Sequence, residues 1–296
     1  MKLLITGGTG LLGKSILKFA PPKWNTTITY LKNKPQNNLK SVMLNLSDLE
    51  NIKRIIQKAK PELIIHTAAA KDIEWCEANK KEALQINALS TEIIAKESAK
   101  IGAKVVYIST DFVFDGNKGD YSEKDEPNPI NFYGQTKLIG EEAVLKHPKN
   151  IVIRTNFYGI DPIPEKPSFA SFILNSLKSG KEITTATDQY CNQIFADQLS
   201  ECILNVCEKE QRGIFNIACT DTASRHEFAL FVCDVFDLDK NLVKKAKLKD
   251  LSIKFGWKAQ RPKDTTLNIS KVGKTFKLPT IKSSLEEYKK TLMKRN

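Results

Sequence analysis

Thr6-Gly7-Gly8-Thr9-Gly10-Leu11-Leu12-Gly13 decides how this chain is read. The stretch directly follows an apolar run at 2–6 and opens an amphipathic run at 11–19 that Pro21-Pro22 stops, so it marks a strand-to-helix junction. Glycine there allows a tight turn and close approach of backbone to a phosphate. The helix start adds free N–H groups and a partial positive charge. Three glycines at a period of three are costly for folding alone, and at this junction they form a place for a pyrophosphate. Gly7, Gly10, Leu11, Leu12 and Gly13 are therefore candidate cofactor-binding residues.

Outward from that turn, β-branched runs at 26–31, 42–46, 63–67, 103–109 and 151–154 alternate with helical patterns near 48–59, 79–100 and 132–146. Alternation of this kind predicts an α/β fold with a doubly wound parallel sheet of the Rossmann type. After Gly159 the texture changes: Pro162, Pro164 and Pro167 cluster, and helices near 168–179, 197–209 and 224–236 mix with short strands. The expected organisation is a dinucleotide-binding domain over 1–160 and a smaller mixed α/β substrate-binding region over 161–296. A strand at 213–218 could belong to either part, as segments crossing back to the sheet would.

Two further fragments carry chemistry. Ser109-Thr110-Asp111 follows the run at 103–109, placing Thr110 at the C-terminal edge where open sheets hold ligands, with a hydroxyl for a substrate carbonyl. Tyr133-x-x-x-Lys137 opens the helical pattern at 132–146, where residues four apart share a face. A tyrosine hydroxyl titrates near 10, so acid/base work near neutrality calls for a neighbouring cation, and Lys137 supplies one. About one Tyr-x-x-x-Lys match is expected by chance in so lysine-rich a chain, and Tyr30-x-x-x-Lys34 is such a decoy, because Pro35 denies it a helix. A rival reading overlaps the glycine turn: Gly8-x-x-x-x-Gly13-Lys14-Ser15 matches a nucleoside triphosphatase P-loop, with Asp111 as its magnesium carboxylate. It assigns nothing to Tyr133 or Lys137.

Composition bounds the partners. With 296 residues and 41% hydrophobic content the chain can bury a large core. The net charge is +12, yet only six of the 46 basic residues are Arg and the Lys are dispersed, so the expectation is a solvated basic surface and no nucleic-acid partner. The field favours an anionic small ligand. Six Cys without a C-x-x-C pair and three scattered His form no metal-ligand pattern, so the Cys read as reduced packing residues. No run approaches the roughly 18 apolar residues of a membrane span, and the N-terminus lacks a signal-peptide core, so the expected setting is cytoplasmic. At the end of the second strand, Tyr30-Leu31-Lys32-Asn33-Lys34 presents lysines instead of the carboxylate that grips an NAD ribose. Lys32 thus points to NADP(H), with NAD(H) possible.

Further segments complete the pattern: His66-Thr67-Ala68-Ala69-Ala70, Ile86-Asn87-Ala88, Ile108-Ser109-Thr110-Asp111-Phe112-Val113-Phe114-Asp115-Gly116, Tyr133-Gly134-Gln135-Thr136-Lys137, Asp188-Gln189-Tyr190 and Arg261-Pro262-Lys263-Asp264-Thr265-Thr266-Leu267. With the glycine turn they resemble the extended short-chain dehydrogenase/reductases, and among them the dTDP-4-dehydrorhamnose reductases, over nearly the whole chain. The resemblance implies NADPH-dependent reduction of the 4-keto group of dTDP-4-dehydro-L-rhamnose. Tyr133 would protonate the new alkoxide, Thr110 polarise the carbonyl, and Lys137 lower the tyrosine pKa and bind the nicotinamide ribose. It further implies Asn45, Leu46, Ala68, Ala69, Ala70 and Asn87 along the cofactor. Asp111, Phe112, Asn156, Phe157 and Arg261 would line the nucleotide-sugar substrate.

This chain departs from the pattern where Phe157 replaces a substrate-side Trp, where Cys191 and Gln193-Ile194 replace a usual Gly and Pro-Thr, and where Asn45 replaces an Asp common beside the adenine. Another nucleotide-sugar reductase or epimerase stays open on that account. The regulatory subunit of methionine adenosyltransferase also looks like this family, which leaves open a non-catalytic NADP-binding role. A homodimer is possible.

Overall fold

The strand runs assemble into one parallel sheet in a computed structural model that describes residues 1–35, 39–162, 167–209 and 211–294; Pro164 of the proline cluster lies outside the described residues. β1 (Lys2–Thr6), β2 (Asn25–Tyr30), β3 (Ser41–Met43), β4 (Leu63–His66), β5 (Lys104–Ile108) and β6 (Ile151–Arg154) are joined by a seventh strand, Gly213–Asn216. Across the sheet the order is β3, β2, β1, β4, β5, β6 and Gly213–Asn216, all parallel. From β1 the chain first travels outward to β3, then returns to the other side of β1 with β4. That reversal opens a crevice at the C-terminal ends of β1 and β4, the place where open α/β sheets take their ligands.

Alternation along each strand buries both faces. Leu3, Ile5, Ile65, Val106, Ile108, Ile151 and Ile153 pack on one side with Leu12 and Ile16 of α1 (Leu11–Phe19). Leu4, Ile64, Val105, Tyr107 and Val152 pack on the other, against α2 (Leu49–Ala59), with α3 (Ile73–Ala78) and α4 (Lys80–Leu84) preceding α5 (Ser90–Lys100) and α6 (Phe132–Leu145) in the chain. Each such aliphatic side chain contributes roughly 1.5–3 kcal/mol by leaving water.

Two expected elements differ in extent. The strand expected at 42–46 stops at Met43, because β2 ends at its partner Tyr30; Leu44 and Leu46 then turn into the core. The single helical pattern at 79–100 carries a π-helical turn at Gln85–Leu89, which widens the helix where Asn87 leaves it.

The strand left unassigned at 213–218 is the edge strand Gly213–Asn216, paired with β6. Beyond it, Ile183–Ala186 pairs in parallel with Val243–Ala246. The helix Ala196–Glu208 docks on α1, where the Ser15 hydroxyl donates to Asp197 at 2.5 Å and Lys18 pairs with the same carboxylate at 2.6 Å. Ring contacts among Tyr158, Phe195, Phe228 and Tyr288 tie the C-terminal helix Ile281–Met293 to this layer. Among the described residues no helix is long and apolar enough to cross a membrane.

Candidate active site

The glycine turn lies between β1 and α1 at the edge of the crevice. Gly7 adopts φ +67°, and a Cβ on Gly13 would stand 2.3 Å from the Gly7 carbonyl oxygen, so the helix begins directly against the strand end. Gly10 is the N-cap of α1 and, lacking a side chain, gives the first-turn N–H groups no capping acceptor. Those donors are what a helix start offers an anion, and the turn fits the pyrophosphate of a dinucleotide.

The facing wall follows β4. The Thr91 hydroxyl donates to the Asn87 carbonyl at 2.6 Å, so its oxygen accepts from His66 Nε2–H at 3.0 Å, and His66 Nδ1 lies 2.6 Å from the Thr6 hydroxyl. Burial lowers the His66 pKa to about 3, with Lys137 adding in the same direction, so the ring is a neutral connector between β1, β4 and α5. Asn87 fixes the loop that follows: its Oδ1 accepts from Ala70 N–H at 2.8 Å, while its Nδ2 donates to the Ala70 carbonyl at 3.0 Å and to Thr136 on α6 at 3.1 Å. Ala68, Ala69 and Ala70 thereby stand half-buried along the cleft, opposite the glycine turn.

α6 brings the candidate reacting groups together. Asn131 caps it, its Oδ1 accepting from Gly134 N–H at 2.9 Å. A Cβ on Gly134 would lie 2.2 Å from the Phe112 carbonyl oxygen, so the helix start rests on the Thr110–Phe112 turn and Tyr133 meets Thr110. Tyr133 is half-buried. Burial drives its phenol well above the ordinary value, the Thr110 hydroxyl opposes this, and Asp111 adds to it. The net direction is opposite to the lowering expected from Lys137. Lys137, only 2% exposed, donates from Nζ to the Ile108 carbonyl at 2.7 Å, and burial takes its pKa down to about 7 against the pull of Glu141. Tyr133 is therefore held protonated at neutral pH, the form a proton donor needs.

Thr110 donates to Asp111 Oδ1 at 3.1 Å and accepts from Phe112 N–H at 3.2 Å. Its hydroxyl must turn from Asp111 before it can serve a carbonyl. Asp111 is itself a knot: Asn156 Nδ2 donates to it at 2.9 Å and the Thr265 hydroxyl at 2.6 Å. Burial raises the Asp111 pKa, and the Thr265 and Asn156 donors counter it. Behind the reacting groups, Glu141 receives Arg154 Nε at 3.1 Å on both oxygens, Arg154 Nη2 at 2.7 Å and the Ser109 hydroxyl at 2.5 Å.

Sequence reasoning did not single out Thr265, Glu141 or Arg154 for these roles. Glu141 had a signal, since 133, 137 and 141 share one face of α6; Thr265 had none beyond its place in the late Arg-Pro segment.

The remaining predicted residues lie around this centre. Phe112 is buried and Phe157 half-buried. Lys32 is exposed just beyond β2, Leu46 is buried, and exposed Asn45 uses its Oδ1 to accept from Ser47 N–H at 3.0 Å. Arg261 is engaged by the protein itself, donating to Glu74 at 2.7 Å and to the Ala259 carbonyl at 3.0 Å, with its guanidinium 3.7 Å from the Trp257 ring centre. The triphosphatase alternative loses what it requires: the Ser15 hydroxyl is committed to Asp197, and Asp111 is committed to Asn156 and Thr265. Among the described residues no cluster of His, Cys, Asp and Glu could hold a metal.

Known proteins share this architecture over nearly its full length. A dTDP-4-dehydrorhamnose reductase of Bacillus anthracis, crystallised in complex with NADP, superposes with a TM-score of 0.85 at 26% identity, covering 98% of this chain and 99% of that one. A hypothetical dTDP-4-dehydrorhamnose reductase of Sulfolobus tokodaii superposes at 0.84 with 33% identity, over 94% and 96%. Methionine adenosyltransferase 2 subunit beta of Danio rerio is 30% identical over 285 residues, 92% of this chain and 84% of the relative. The family model described as RmlD substrate binding domain matches residues 1–294. Given that match and the fold shared with the reductases, the chain belongs to this family of extended short-chain dehydrogenase/reductases.

Proposed function

We propose that this protein reduces the 4-keto group of a nucleotide-linked deoxysugar, dTDP-4-dehydro-L-rhamnose to dTDP-L-rhamnose, with NADPH. The observation that carries the reading is the meeting of Thr110, Tyr133 and Lys137 at the C-terminal end of β5, on the same sheet edge as the glycine turn that ends β1. NADPH, when bound, supplies the hydride that adds to C4. The N–H groups at Leu11 and Leu12 and the turn Gly7 to Gly13 would hold its pyrophosphate, Lys32, Asn45 and Leu46 would take its adenosine side, and Ala68, Ala69, Ala70 and Asn87 would line it further in. Tyr133 would give its proton to the sugar O4 as negative charge develops there; burial makes the phenol a weaker acid, which the neighbouring Lys137 ammonium would offset. Thr110 turns its hydroxyl from Asp111 to the carbonyl oxygen. The Lys137 ammonium would donate to ribose hydroxyls and favour the phenolate left after transfer. Asp111, Phe112, Asn156, Phe157 and Arg261 would shape the sugar-nucleotide side, Arg261 alone of these coming from the region 161–296.

The test is oxidation of NADPH by the purified protein with dTDP-4-dehydro-L-rhamnose made in situ, with the product resolved by chromatography. Appearance of dTDP-L-rhamnose supports the reading. NADPH binding without consumption of this ketosugar or its relatives overturns it. The likeness to the zebrafish subunit favours a second reading, an NADP-binding regulatory subunit of a methionine adenosyltransferase. Stable association with that enzyme's catalytic subunit, together with absence of ketosugar turnover, would put it first.

A further inference from the structure

The Lys137 ammonium is buried, and its hydrogen bond to the Ile108 carbonyl satisfies a donor but brings no counter-charge. A buried cation commonly meets a carboxylate. Here Glu141, one turn along α6, is committed to Arg154 and Ser109. Lys137 Nζ instead lies 4.0 Å from the centre of the Tyr107 ring, and that ring is fully buried on β5. Among the described residues the Tyr107 hydroxyl has no partner at good hydrogen-bond geometry, the Thr91 hydroxyl being the polar group it approaches. The helix reaches the ring because position 140 has no side chain: a Cβ there would stand 2.5 Å from the Tyr107 oxygen. The same ring stacks on His66, with centroids 5.5 Å apart and an interplanar angle of 28°.

We propose that Tyr107 is a positioning residue whose ring face holds the Lys137 ammonium at the cleft by cation–π attraction, with no part played by its hydroxyl. A carboxylate in that place would fix the lysine but cancel its charge. An aromatic face compensates the buried ammonium and leaves the site net positive toward an anionic dinucleotide. The consequence for turnover rests on the reductase reading; the lysine–ring contact does not.

The groups facing Lys137 are Glu141 on α6, Cys76 on α3, His66 on β4, and Tyr107 and the Ile108 carbonyl on β5, with Tyr133 one turn before it on α6. Fluorination of the ring drains its face of negative charge with little change of shape, so it changes one of these interactions and spares the others. The experiment replaces Tyr107 by Phe, then by monofluoro- and trifluorophenylalanine, and follows the Lys137 side-chain NMR signal of the ligand-free protein against pH, assigned by Lys137→Arg. NADPH affinity and ketosugar turnover are measured beside it, and thermal unfolding shows that the series folds.

Tyr107→Phe is expected to leave the Lys137 midpoint near its wild-type position. Fluorination should lower it stepwise, by about one pH unit for the trifluoro ring, and weaken NADPH binding at neutral pH up to about tenfold. A midpoint indifferent to fluorination, or one that Tyr107→Phe already moves as far as trifluorination does, overturns the proposal. If the midpoint tracks fluorination and no ketosugar turns over, the ring's role stands and the reductase reading falls; turnover with an indifferent midpoint gives the reverse.

Discussion

Arg154→Met probes the support behind the candidate reacting groups. Arg154 and Glu141 are 2% and 1% exposed, and three N–H···O contacts of 3.1, 3.1 and 2.7 Å join them. Methionine fills much of the arginine's volume but leaves Glu141 buried with only the Ser109 hydroxyl as a donor. Breaking one side of such a pair costs about 3–5 kcal/mol, a large share of the roughly 5–15 kcal/mol that holds a domain folded. Removing both charges, as in Glu141→Leu with Arg154→Met, is expected to be neutral or stabilising by about 1–4 kcal/mol, since two desolvation penalties vanish together. Urea unfolding at neutral pH of wild type, both single variants and the double variant forms a closed cycle. A single-variant loss under about 1 kcal/mol, or a double variant as unstable as the worse single one, would refute the reasoning. Because Ser109 precedes Thr110, Arg154→Met is also expected to lower turnover more than it weakens cofactor binding.

Gly13→Ala drives a Cβ to 2.3 Å from the Gly7 carbonyl oxygen, whereas at Gly10 the nearest atom is 3.1 Å away. Thermal unfolding should show Gly13→Ala losing about 1–3 kcal/mol and Gly10→Ala little, with dinucleotide binding weakened in both. Lys137 has a folded pKa of about 7 against an ordinary 10.5, so between those values the unfolded chain holds more protons and stability rises with pH. Lys137→Met should accordingly raise the melting temperature, most below pH 7 and least above pH 10.5, while weakening NADPH binding. A bound anionic dinucleotide favours the charged lysine, so binding at pH 8 should take up protons, read by calorimetry in buffers of different ionisation enthalpy. Ser15→Ala removes the contact to Asp197, costs about 1 kcal/mol, and should leave nucleotide binding independent of magnesium.

What the sequence makes visible is what is local in the chain. The glycine turn, the caps and the strand-to-helix alternation depend on neighbours a few residues apart, so the placement of β1, α1 and α6 follows from pattern alone. Tyr133 and Lys137 share a face for the same reason. The edge strand Gly213–Asn216 could not be assigned because its partner β6 is distant in sequence and its apolar run fits either layer. Arg154 with Glu141 and Thr265 with Asp111 were hidden likewise, since pairing across elements leaves no periodic trace. The tyrosine pKa went the other way from expectation because burial, which no spacing reveals, outweighs a neighbouring cation.

The most direct test of the central claim is transfer from NADPH carrying deuterium at the transferred position, with the sugar-nucleotide product read by mass spectrometry for wild type and Tyr133→Phe. The account predicts deuterium at C4 of the product from wild type, and from Tyr133→Phe unimpaired NADPH binding with product formation reduced about a hundredfold or more. Deuterium absent from C4, or equal transfer by the two proteins, would contradict it.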